Sequence, residues 1–188
     1  MRGATGLLAG IAMLAACGGT TDTTAPKATD QLAAGASASR ATVQQQLARL
    51  RQVTAAFHDI DAATAAGWST QITECMASDA GGMGFHYGNT SLIDGTVRVE
   101  QPELLLYEPQ KNGRMQLVAV EYIIPYTAHA RSDAPPVLFG QEFKRNDTFQ
   151  LWGLHAWVWK HNPSGMFADW NPNVNCDNTT DIMAMRHQ

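Results

Sequence analysis

Between residues 43 and 60 apolar side chains recur every three or four positions, at Val43, Leu47, Leu50, Val53, Phe57 and Ile60. That spacing predicts an amphipathic helix with one face on a core. Ser39 is the expected N-cap, with the helix starting near Arg40. Asp59 is a second candidate cap, so a kink or a new short helix is expected near His58. Gly67 marks the stop, in the position past the last turn that favours glycine. Beyond Trp68 the pattern changes to extended runs: Glu103 to Tyr107, Leu117 to Tyr126 and Phe149 to Lys160. Asn112 and Gly113 between the first two predict a hairpin turn with antiparallel pairing. Pro135 and Pro136 open a shorter piece, VLFGQEF. After Cys75, ASDAGGMGFHYGN is dense in glycine and reads as an ordered loop or short irregular strand. HNPSGMFADWNPNVNC carries turn residues throughout. A helix followed by strands and ordered loops predicts an α+β domain with the helix on a mainly antiparallel sheet. The alternative is a small β-barrel with an external helix.

Strand alternation brings chemistry into this pattern. In LVAVEYII, Glu121 falls on the face of Leu117, Ala119 and Ile123. A carboxylate on a core face is costly unless it is protonated, paired or metal-bound. In LWGLHAWVWK, His155 shares a face with Leu151, Gly153, Trp157 and Trp159, and Gly153 leaves room for close approach. His86 lies in the glycine-rich segment beside Tyr87. Two imidazoles and a carboxylate can hold one divalent transition-metal ion with an open position. The expected site is therefore His86, Glu121 and His155, with Tyr87 and His161 lining a ligand pocket. In the alternative, Glu121 and His155 form a buried hydrogen-bonded pair and His86 satisfies loop carbonyls. His58, His129 and His187 are weaker candidates. Trp152, Trp157, Trp159 and Trp170 are expected to pack in the core rather than line a cavity. No G-x-S-x-G elbow, phosphate loop or C-x-x-C pair is present.

The N-terminus adds a location. Arg2, a short apolar run without acidic residues, and small residues before Cys17 are the parts of a secretory signal. Leu14, Ala15, Ala16 and Cys17 resemble the bacterial lipobox, which implies cleavage before Cys17 and lipidation there. Gly18, by the same resemblance, favours the outer membrane. The expected organisation is a signal peptide over 1–16, a lipidated cysteine and flexible tether over 17–38, and one globular domain over 39–188. The lipid would hold the chain on the outer side of the cytoplasmic membrane or in the outer membrane facing the periplasm. With Cys17 lipidated, Cys75 and Cys176 form an even pair in an oxidising compartment, and a disulfide is expected. The net charge of −4 and the lack of a basic cluster give no electrostatic support to a nucleic-acid partner.

In order along the chain, GGMGFHYGN, PELLLYEP, LVAVEYIIP, LFGQEF and NPSGMFADWNPNVNC resemble a family of uncharacterised secreted or lipid-anchored bacterial proteins. The resemblance runs from Ala55 to Cys176 and implies no particular reaction. The residues themselves favour an envelope module that binds a divalent metal or small ligand. An enzyme using the same centre comes second, and an interaction scaffold without metal third.

Overall fold

The computed structural model describes residues 28–179, with side chains from residue 36 onward. The signal segment, Cys17, the first part of the expected tether and His187 lie outside the described residues.

Helix α1 spans Ala28–Thr54 and is followed by a 3-10 turn, Ala55–His58, and a short helix α2, Ile60–Ala65. Leu47 and Leu50 are fully buried, and Val43, Phe57 and Ile60 pack against the same cluster. Burying two leucines stabilises the fold by about 1.5 to 3 kcal/mol each. The break falls at the expected cap: the Asp59 carboxylate accepts the Asp61 N–H at 3.0 Å. Gly67 ends α2 at φ +113°. Its N–H donates to Thr64 O and that of Trp68 to Ala63 O, the paired bonds of a Schellman close. The N-terminal expectation needs correction. Ser39 lies inside α1 rather than capping it, and residues 28–38, expected as tether, are helical. Their many alanines favour helix without any packing partner, and residues 36–42 are indeed exposed.

The strands in chain order are β1 (Thr70–Ser78), β2 (Gly81–Gly88), β3 (Leu104–Pro109), β4 (Met115–Pro125), β5 (Val137–Leu138), β6 (Gln141–Glu142), β7 (Lys144–Asn146) and β8 (Leu151–Ala156). Six of them form one antiparallel sheet in the order β1-β2-β3-β4-β8-β7. β5 and β6 form a separate hairpin. The sheet is curled like a half-barrel, and the fold is α+β. β1 and β7 remain as edges, so the barrel does not close.

Both faces of the sheet are covered, which explains the unbroken burial of β4 from Leu117 to Ile124. On the helix side, Leu47 and Leu50 meet Leu117, Val120, Tyr122, Trp152 and Leu154. Tyr107 donates its hydroxyl to Phe57 O at 2.7 Å, and Arg51 Nε donates to Val158 O at 3.1 Å. On the other side, Leu104, Leu106, Ala119 and Ile123 meet Trp157 and Val174. The turn-rich segment after residue 160 is strapped over that second side. Gly82 and Asn171 exchange two backbone hydrogen bonds, and Cys75 is joined to Cys176 by the expected disulfide. In the chain-entropy account a bridge over so long a loop stabilises by about 4 to 5 kcal/mol. Buried Glu108 adds a third tie, accepting the Asn175 N–H at 3.1 Å and pairing with Lys160.

Two face assignments change. A bulge between β3 and β4 sets Tyr107 opposite Leu117 while Leu106 faces Ala119. The extra residue reverses the alternation, so Leu117 packs with the helix-side cluster and away from Glu121. β8 ends at Ala156, short of the expected Lys160. Past its end Trp159 turns to the helix side, donating its Nε1–H to Thr54 Oγ1.

Candidate metal centre

Glu121 and His155 are direct cross-strand partners on β4 and β8, which puts both side chains on the face away from α1. His86 reaches the same place from β2, two strands away from β4. Of the two expected forms, ordered loop or short strand, its segment takes the strand, with His86 opposite Leu106. The glycines make that strand possible. At Gly84, φ is +88° and a Cβ would lie 2.3 Å from Tyr107 O, so only glycine lets β2 close on β3 here.

The three groups meet. His86 Nε2 is 3.5 Å and His155 Nε2 is 3.8 Å from the same oxygen, Glu121 Oε2. One donor atom from each of His86, Glu121 and His155 lies within 4.8 Å of the others, and all three residues are buried. Neither histidine distance is a hydrogen bond. Among the described residues, His155 Nε2 is a buried polar atom with no hydrogen-bond partner. A buried pair between Glu121 and His155 would have satisfied it.

Burial also fixes the protonation. His86 is pushed down to about 3, first by desolvation and then by neighbouring His155. His155 is likewise pushed down to about 3, by desolvation and then by Lys144. Glu121 is pushed up to about 8, chiefly by burial, with Asp169 and Glu103 adding to it. By themselves, then, the three are neutral at pH 7. Their contacts are not ion pairs despite the short distances. Neutral imidazoles offer lone pairs, the form in which histidine binds a metal. Two donors on one ion stand roughly 3 to 3.5 Å apart, so the two distances to Glu121 are close to that spacing while the set as a whole, within 4.8 Å, has to draw together.

The outer partners fit as well. Thr73 Oγ1 and His86 Nδ1 are hydrogen-bonded at 2.8 Å. With Nδ1–H as the donor, Nε2 keeps its lone pair toward Glu121. Asp169 Oδ1 lies 3.8 Å from His155 Nδ1 and is held by Lys144 Nζ at 2.8 Å. Gly153, diagonal to Glu121, admits the carboxylate: a Cβ there would lie 2.9 Å from Glu121 Oε1. The cluster borders a cavity of about 400 Å³.

Three expected pocket features are corrected. Tyr87 follows His86 and alternates to the helix side, its ring 5.7 Å from that of Tyr107. His161 lies past the end of β8, exposed, in a loop whose backbone oxygen accepts from Asn171 and Asn173. Neither lines the cavity. Trp170 does line it, unlike buried Trp152. Among the weaker histidines, His58 is exposed and edges onto Trp159, and His129 bonds Ala134 O.

Thr73 and Asp169 were not singled out in the sequence. Thr73 belongs to a polar strand with irregular register, and Asp169 to a loop without periodicity. Glu103 gave a readable signal, an acid directly before LLL. It is fully buried and accepts the Ile123 N–H at 3.1 Å. Compared with protein families, curated proteins and solved structures, the chain matches none.

Proposed function

We propose that the protein is an envelope lipoprotein that binds one divalent transition-metal ion through His86, Glu121 and His155. The observation that carries this is His155 Nε2, buried, unpartnered among the described residues and 3.8 Å from a buried carboxylate oxygen. An orphaned buried polar atom of that kind costs about 1 to 3 kcal/mol, and a cation bound to its lone pair removes the cost. Two imidazoles and a carboxylate suit zinc or ferrous iron. The envelope location is supported by the lipobox-like Leu14 to Cys17 and by a disulfide suited to an oxidising compartment. A second reading, turnover at the ion, draws support from the adjoining cavity. An ion with three protein ligands and space beside it keeps a position for water or substrate, as catalytic sites do.

The test is zinc and ferrous titration of the purified full chain after chelator treatment, alongside Glu121→Gln and His155→Ala. Glutamine matches the protonated carboxyl in shape, so Glu121→Gln should fold normally. Its metal affinity should fall at least about a hundredfold, more than loss of an outer partner costs. One ion per chain in the native protein is expected. Equal zinc binding by native chain and Glu121→Gln would overturn the proposal.

A further inference from the structure

We infer that the cavity beside the three ligands takes a monocarboxylic acid with an apolar body, its carboxylate on the metal and its chain along the cavity wall. The inference rests on the metal reading above and names the ligand of that same site. The walls are largely apolar: Ile72, Met76, Met83, Leu104, Ile123 and Phe149 line it. The mouth carries apolar groups beside the charged ones. Among the described residues three large hydrophobic side chains stand exposed, and two of them, Ile72 at 41% and Phe149 at 48%, belong to this cavity. Both would flank an apolar ligand entering the cavity. The volume of about 400 Å³ lies within the range of small-molecule sites.

Charge selects the head group. A divalent ion held by one carboxylate and two neutral imidazoles leaves one positive charge in an apolar setting. At the rim, Lys144 and Asp169 cancel each other at 2.8 Å, and Arg145, the other cation of the lining, holds its guanidinium over the ring of helix-side Trp152, 5.2 Å from its centroid. A single negative charge on the ligand therefore brings the site to neutrality, which a low-polarity cavity favours strongly. A phosphate fits worse. It carries nearly two charges and needs several donors, and the ammonium nearest the cluster is already committed to Asp169.

The probes are acetate, octanoate and octanamide, titrated calorimetrically into the full chain loaded with zinc, with zinc content measured first on the same samples. Each methylene that leaves water strengthens binding about fourfold. Burying half of the additional chain of octanoate should make it at least about fiftyfold tighter than acetate. Octanamide, with the same body and no charge, should bind at least tenfold more weakly than octanoate. The double variant Ile72→Ala, Phe149→Ala changes exposed side chains and should keep its zinc. It should lose at least fivefold in octanoate affinity with acetate unchanged. Acetate equal to octanoate, octanamide equal to octanoate, or octanoate binding untouched in the double variant each overturns the inference. A native chain that takes up neither zinc nor ferrous iron removes the metal reading and this inference with it. Zinc uptake without carboxylate preference removes the inference alone.

Discussion

Gly153 matters by having no side chain. A Cβ there would stand 2.9 Å from Glu121 Oε1, closer than van der Waals contact, so Gly153→Ala should push the carboxylate off its position. Overpacking of this kind costs about 1 to 3 kcal/mol. Zinc affinity should drop at least tenfold while the melting transition stays cooperative, which calorimetric titration and thermal unfolding can show together. Glu103 makes a different prediction at the same scale. Its carboxyl is pushed up to about 8, first by burial, although the hydrogen bond from Ile123 opposes the shift. A group whose folded value lies above its unfolded 4.5 contributes stability that is complete below pH 4.5 and is lost as pH rises toward 8. Glu103→Gln keeps the acceptor for Ile123 N–H and removes the titration. The decline in stability between pH 5 and 8, measured by urea unfolding, should be shallower in Glu103→Gln than in the native chain. His86 and His155 act with the opposite sign. Held near 3, they withdraw stability as pH falls from 6.5.

Elements differ in how far local chemistry specifies them. The helix stripe, the cap at Asp59 and the stop at Gly67 are local, and all three stand where the spacing places them. Gly67→Ala meets two obstacles, φ of +113° and a Cβ 2.6 Å from Asn89 Nδ2. A loss of about 1 to 3 kcal/mol is expected in chemical denaturation, more than a surface substitution normally causes. The strands β3, β4 and β8 were legible because apolar runs and a hairpin turn flank them. β1 and β2 were not. TQITECMAS is an edge strand mostly polar in composition, and GGMGFHYG looks like a loop because glycine disfavours strands in isolation. Close approach to neighbouring β3 is what makes those glycines fit. The start of α1 was misplaced because an alanine-rich stretch reads equally as tether and as exposed helix.

At the scale of the whole molecule, the site is assembled from β2, β4 and β8 under a C-terminal strap fixed by the Cys75–Cys176 bridge. None of its ligands comes from α1, and no helix among the described residues is long and apolar enough to cross a membrane. Given the proposed lipid anchor and metal centre, attachment and metal binding should separate, because α1 supplies none of the three side chains. Cys17→Ser should move the chain from the membrane to the soluble fraction after cell fractionation. Its zinc stoichiometry should match that of the native protein. Loss of both together would mean that the anchor supports the site.

What the sequence determined by itself was whatever depends on near neighbours. Helix periodicity, turn residues and an even pair of cysteines predicted α1, the β3–β4 hairpin and the disulfide. Period-two alternation placed Glu121 on the face of Ala119 and Ile123, which it occupies, while its pairing with His155 came from the β4–β8 register. The arrival of His86 beside them, the places of Thr73 and Asp169 behind the histidines, and the turning away of Tyr87, Leu117 and Trp159 come from contacts between distant segments. The reason is physical. Alternation is a property of one backbone, whereas strand order, a bulge opposite Leu106 and the cavity beside Glu121 arise from hydrogen bonding and packing between distant segments.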